Sequence, residues 1–265
     1  MTQDPYQLAQ AAAQEIAQIS QITHHDVLVV LGSGWTPAAD ALGNAEVEFS
    51  VDKLTGFSAP SVAGHAGKLR SVLVGSNRTL IQMGRTHYYE GKGVPAVVHA
   101  VRTAVATGVK TIILTNACGG LHLEWKPGTA VLIKDHINLT GATPLVGPRF
   151  LDVSEVYSQR LRKIAQEIDP SLTEGVYVQF HGPQYETPAE VQMAIKMGGD
   201  MVGMSTALEA IAAREANIEV LGISMVTNPG AGLTNDKLNH EEVLAAGLAS
   251  ASRMGDLLKK VIEKI

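Results

Sequence analysis

The chain has one cysteine, Cys118, among 265 residues. No intrachain disulfide can form, and a cysteine-rich zinc site is excluded with it. Positive charge is also not in excess: the formal net charge is -5. General binding to nucleic acid needs clustered Lys and Arg to displace counterions from phosphates, so that class falls away. Lys259, Lys260 and Lys264 sit among Asp256 and Glu263 and read as the solvated end of a closing helix, the end its dipole makes negative. No run of about 20 apolar residues is available to span a bilayer. The opening MTQDPYQLAQAAAQEIAQI has neither the basic start nor the apolar block of a signal peptide, so the expected compartment is the cytoplasm. Internal repeats, low-complexity tracts and linkers are missing too, which predicts one domain over residues 1–265.

Apolar residues make up 45% of the chain and charged ones 18%, enough for a large buried core. Asp4 as cap, Pro5 at the first position and Leu8, Ala12, Ile16 and Ile19 on one face predict an opening helix. Val27–Leu31 is a continuous apolar run, as expected of a strand buried on both faces. Residues 69–74 and 79–82 flank Gly75-Ser76-Asn77 and predict a hairpin. Helices are expected over about 95–107 and 154–168, from Thr187-Pro188-Ala189-Glu190, from Thr206 with Glu209, and from Asn239 with Glu242 to about Ile262. Strands are expected at 111–115, from Ala130, at 175–180 and near 220–226, with 141–148 a loop. The alternation predicts an α/β fold: a mixed, largely parallel central sheet flanked by helices.

In such sheets ligands collect beyond the carboxyl ends of the strands. Polar clusters fall there at Gly32-Ser33-Gly34, Asn116-Ala117, Gly182 to Glu186, Gly203 to Thr206, and Thr227-Asn228. Gly32-Ser33-Gly34 fits either a tight turn or an anion site backed by the positive end of a following helix. It is neither a dinucleotide fingerprint nor a P-loop: GSGWTP lacks the third glycine, and Gly91-Lys92-Gly93 is not followed by Ser or Thr. Arg85, with a planar fork for phosphate, and His87 two residues on make a sharper anion signal. His65, between glycines, fits a structural or a functional role equally.

The blocks LGSG, GHAGKL, MGRTHYYEG, TNACGG, KDHINLTG, GPQYETPAE, GDMVGMST, VTN and NHEEVL occur in the order expected of the trimeric, low-molecular-mass purine nucleoside phosphorylases. The chain resembles that family, in its bacterial form, from about Leu31 to Leu244. The resemblance implies phosphate-dependent cleavage of 6-oxopurine nucleosides such as inosine and guanosine, giving free base and ribose 1-phosphate. It implies that Ser33, His65, Arg85, His87, Ala117 and Ser205 hold phosphate, with His87 also counted as catalytic. Tyr89, Val202, Met204 and His240 would line the nucleoside, and Tyr185 would stack near base and sugar. Glu186 would accept N1–H of the base and Asn228 would donate to N7. Phe150 matches the aromatic that relatives lend to a neighbouring subunit, which implies a homotrimer. No metal and no cofactor is expected, phosphate being a co-substrate.

The chemistry supports these roles separately. The transition state carries oxocarbenium character on the sugar and negative charge on the leaving purine, so phosphate must be held and the base stabilised. A carboxylate facing N1 selects bases protonated there, which hypoxanthine and guanine are and neutral adenine is not. Relatives that cleave methylthioadenosine typically place an aspartate where Asn228 stands. Bland roles remain open for Met204 as core packing, for Tyr185 as a loop anchor, for Glu186 beside the Thr187 cap, and for His240 in a first helical turn. Cys118 stands where alanine is more usual and places an oxidisable thiol beside the site. A methylthioadenosine phosphorylase and a catalytically silent nucleoside-binding protein are the alternatives.

Overall fold

Five apolar residues in a row stay dry along both faces only inside a layered core, and in the computed structural model Val27–Leu31 is a strand buried at every position. The structure describes residues 4–58, 67–234 and 240–265, with the side chains of 240–247 left out. Helix α1 (Pro5–Ser20) precedes β1 (Val27–Leu31), a 3-10 segment Thr36–Leu42, β2 (Val47–Ser50), β3 (Lys68–Val74) and β4 (Asn77–Met83). Then come α2 (Gly93–Val97), α3 (His99–Ala106), β5 (Thr111–Gly120), β6 (Ala130–Asn138), α4 (Gln159–Ile168) and β7 (Thr173–Gln179). Helix α5 (Pro188–Lys196), β8 (Met201–Gly203), α6 (Ala207–Glu215), β9 (Glu219–Pro229) and α7 (His240–Lys264) complete the order.

The nine strands form one sheet in the order β2-β3-β4-β1-β5-β8-β7-β6-β9. Strand β1 runs parallel to β4 and β5, β5 parallel to β9, and β7 parallel to β6 and β8. The pairs β2–β3, β3–β4, β5–β8 and β6–β9 are antiparallel. This is the expected mixed α/β sheet. Because β5 pairs with β9 as well as β8, the strands β5, β8, β7, β6 and β9 also close on themselves. Alternate residues of β1 serve opposite core layers: Leu28 and Val30 pack with Ala12, Ile16 and Val101, while Val29 and Leu31 pack with Met254, Leu257, Leu258 and Val261. Helices therefore cover both faces, as the apolar run required.

Local signals explain most boundaries. Asp4 accepts from Tyr6 N at 2.9 Å, and Thr187 with Glu190 forms the expected capping box at α5. Three expectations need correction. The helix expected over 95–107 is broken at Val98, whose backbone (φ -98°, ψ 3°) leaves the helical region. The helix expected from Ser154 starts at Gln159 with Ser158 as cap, because Asp152 takes Ser154 N into a local turn at 2.9 Å. The segment after Gly34 is 3-10, not α-helical, so no long helix dipole stands behind Ser33. The cap at Asn239 lies outside the described residues. Among the described residues, no helix is long and apolar enough to cross a membrane.

Candidate active site

Parallel strands deliver their carboxyl ends to one edge, and the polar clusters follow from there. Beyond β1, a Cβ on Gly32 would lie 2.6 Å from Thr115 O and 2.7 Å from Arg85 Nη1, so only glycine lets these groups meet. Trp35, buried beside it, donates from Nε1 to Asn116 O at 3.0 Å and fixes the 33–35 turn against β5. Beyond β4, Arg85 is 2% exposed. Its Nη1 donates to Thr115 O at 2.5 Å and its Nε lies 3.1 Å from Glu209 Oε2. His87 donates its backbone N–H to Glu90 Oε1 at 2.7 Å and stacks on Tyr89 with ring centroids 4.7 Å apart. Burial pushes the Tyr89 phenol up to about 12, so it stays a neutral donor at working pH.

A second set of residues reaches the same place from β5, β7, β8 and β9. Gly182 (φ +74°) would drive a Cβ to 2.5 Å from Met204 Sδ and 2.9 Å from Tyr89 Cδ1, so glycine lets the 181–186 loop close on those two side chains. On the same loop Glu186 is buried, and its Oε1 has no hydrogen-bond partner. Desolvation first, then the charge of Glu190, raises its carboxyl above the ordinary glutamate range. Asn228 uses Oδ1 to accept from Thr227 Oγ1 at 3.0 Å and one Nδ2 hydrogen to reach Pro229 O at 2.9 Å. Its second amide hydrogen remains to donate.

These residues enclose one cavity of about 270 Å³. Of the residues expected from sequence, it brings together Ser33, Arg85, His87, Tyr89, Ala117 and Tyr185 with Glu186, Val202, Met204, Ser205 and Asn228. His65 and the side chain of His240 lie outside the described residues. Phe150 does not line the cavity; it is 98% exposed at the end of the 141–150 loop. Cys118 lines the wall, but burial raises its thiol to about 12, so it holds its proton and the expected oxidisable site is a protected one. Sequence reading missed Glu209 as part of this site, giving it only a capping role; the signal was a carboxylate four residues after Ser205. Among the described residues, no cluster of His, Cys, Asp and Glu is placed to hold a metal ion.

A family model described as the phosphorylase superfamily matches residues 26–263. The purine nucleoside phosphorylase of Cellulomonas sp is 55% identical over 266 residues, covering 98% of this chain and 94% of its own. That of Mycobacterium tuberculosis is 54% identical, covering 98% and 97%. Among solved structures, Schistosoma mansoni purine nucleoside phosphorylase in complex with inosine superimposes with a TM-score of 0.87 at 34% identity, covering 98% of this chain and 96% of its own. The same organism's enzyme in complex with adenosine gives a TM-score of 0.89 at 35% identity, covering 97% and 96%. With the family matched across nearly the whole sheet, this chain belongs to the purine nucleoside phosphorylases of the phosphorylase superfamily.

Proposed function

We propose that the protein cleaves 6-oxopurine nucleosides with inorganic phosphate, releasing the base and ribose 1-phosphate. One observation carries the reading: a buried carboxylate oxygen without a partner, Glu186 Oε1, shares a cavity with an arginine, two serines and an amide that still has a hydrogen to give. A buried polar atom left unpaired costs free energy that a ligand N–H restores. A protonated N1 next to a 6-oxo group supplies that N–H, and adenine does not.

In this reading Arg85, Ser33, Ser205, His87 and the backbone N–H of Ala117 hold phosphate beneath the sugar, joined by His65. Tyr89, Met204, Val202 and His240 bound the nucleoside, and Tyr185 covers the base. As the glycosidic bond lengthens, charge moves onto the purine and the Asn228 hydrogen bond to N7 strengthens. A donor aimed where charge develops lowers the barrier more than it tightens the ground state. Phosphate is the co-substrate; the reading assigns no metal or cofactor, nucleic acid or membrane. Residues 1–265 are taken as one domain working in the cytoplasm, as a homotrimer in which Phe150 serves a neighbouring site.

Relatives solved with inosine, guanosine and adenosine show that binding alone does not separate bases in this family. Turnover does. Base release from inosine is therefore measured with and without phosphate, beside adenosine. Phosphate-dependent release from inosine and little from adenosine is expected. Preference for adenosine favours the methylthioadenosine-type alternative, release without phosphate a hydrolase, and no release a binding protein.

A further inference from the structure

Thr206 has φ +81° and ψ -52°, and Ala207 N donates to Ser205 O at 3.0 Å. That is a γ-turn with a positive φ, a strained conformation for a β-branched residue. It persists only where neighbours over-determine it. They do so here. Asn116 Nδ2 donates to Thr206 Oγ1 at 2.9 Å, and the Ser205 and Thr206 hydroxyls lie 3.1 Å apart. Ala207 N also reaches Gln179 Oε1 at 2.8 Å, and Ser205 N donates to the Tyr177 hydroxyl at 3.3 Å. The remaining tie is Glu209, 2% exposed, whose Oε2 accepts from Thr206 N at 3.0 Å.

The other oxygen, Oε1, accepts from Arg85 Nε at 3.2 Å, and Oε2 lies 3.1 Å from the same nitrogen. One carboxylate thus joins residues from separate elements, the end of β4 and the β8–α6 turn, both of which face the cavity. We infer that Glu209 is a positioning residue for the anion subsite: it sets the guanidinium of Arg85 and the hydroxyl of Ser205 in one geometry before the anion arrives. The inference rests on the reading of Arg85 and Ser205 as phosphate ligands. Strain held at the turn is then part of the site's preorganisation, because Ser205 is aimed by a backbone that would otherwise relax. What Glu209 supplies is two acceptor oxygens at the right reach, Oε2 for Thr206 N and Oε1 for Arg85 Nε. A glutamine keeps the length but has one acceptor in place of two: with its oxygen on Thr206 N, its NH2 faces Arg85 Nε, donor against donor. An aspartate keeps the charge but falls short by one methylene.

The test is steady-state kinetics of inosine cleavage, varying phosphate and inosine separately, on the full chain and on Glu209→Asp and Glu209→Gln. Glu209→Asp is expected to raise KM for phosphate about tenfold while KM for inosine stays within about twofold. Glu209→Gln, which keeps the length and loses one of the two acceptors, is expected to raise phosphate KM several fold, again with KM for inosine within about twofold. An unchanged phosphate KM in both variants overturns the inference. Parallel rises in both KM values with a lowered melting temperature reduce Glu209 to a structural residue. A wild-type reaction that does not depend on phosphate removes the underlying reading itself, and is seen before any variant is made. Should Glu209→Asp not fold, Glu209→Gln carries the same test, since it keeps the length of the side chain. A rise of several fold in phosphate KM alone supports the inference, and an unchanged value overturns it.

Discussion

Tyr6 donates its phenol hydrogen to Glu215 across 2.6 Å, joining the first turn of α1 to the last turn of α6. The ring also lies under two guanidinium groups, Arg102 at 4.5 Å and Arg149 at 5.1 Å from its centroid. Both arginines pair with Glu215, at 3.6 and 2.6 Å, and Arg102 donates to Pro144 O at 2.6 Å. The loop that ends in the exposed Phe150 is therefore pinned at Pro144 and Arg149. Glu215→Ala leaves the buried Arg102 without its counter-charge. A cost of about 3 kcal/mol is expected, since breaking a buried pair leaves an uncompensated ion. The Arg149 pair, half-exposed, adds little. Calorimetry should show a melting temperature lower by several degrees, and an unchanged one removes the clamp.

Phe150→Ala separates the loop's stability from its use. No folding energy is tied to a side chain 98% exposed in the single chain. The substitution is expected to raise KM for inosine several fold with light scattering still reporting a trimer. A monomer in the wild type, at full activity, ends the neighbouring-subunit reading.

Asn228→Ala is expected to lower kcat on inosine by roughly a hundredfold, the scale of one preorganised donor. KM should change far less, because the lost bond strengthens only as charge reaches the base. Near wild-type turnover takes Asn228 out of the mechanism.

Glu186 gives a prediction in pH. Burial raises its carboxyl, so protonation, which in the proposed role ends N1–H acceptance, sets in at higher pH than for an ordinary glutamate. The acid limb of kcat/KM on inosine should lie above the ordinary glutamate range. The stability effect has the matching sign. A group whose folded pKa is raised stabilises the fold below its unfolded pKa, and that contribution is lost as pH rises through the folded value. Glu186→Gln should thus melt higher than wild type at neutral pH, converge with it in acid, and lose discrimination between 6-oxo and 6-amino purines. Equal melting temperatures at neutral pH, or intact discrimination, count against the assignment.

Cys118 is 3% exposed, with its thiol pushed up to about 12. Thiolate is the reactive form, so alkylation by iodoacetamide at neutral pH is expected to be negligible in the folded enzyme and complete in denaturant. Rapid labelling of the native chain would show the wall opening.

Much of the fold is legible in the sequence because it rests on local chemistry. Val27–Leu31 declares a doubly buried strand, Asp4-Pro5 and Thr187-Pro188 declare helix starts, and the polar loop at Arg85 does line the cavity. What escaped depends on partners far away in sequence. The strand Met201–Gly203 is three residues long and exists because β5 and β7 flank it. Strand β5 runs on to Gly120 because β9 pairs with it throughout, past a register shift at Cys118/Gly119. Glu209 looks like an ordinary capping residue until β4 brings Arg85 against it. The break at Val98 likewise has no proline or glycine at that position to announce it.

The cavity wall begins at Ser33 and ends at Asn228, with contributions from six strands' ends between. No fragment of the polypeptide therefore holds a partial version worth binding, and any opening that detaches one strand dissolves the site. Ligand and fold are coupled by mass action. A substrate present at about a hundred times its Kd adds roughly 2.7 kcal/mol to the stability of the whole chain. Occupied molecules are thus expected to resist proteolysis longer than empty ones, which digestion with and without inosine and phosphate would measure.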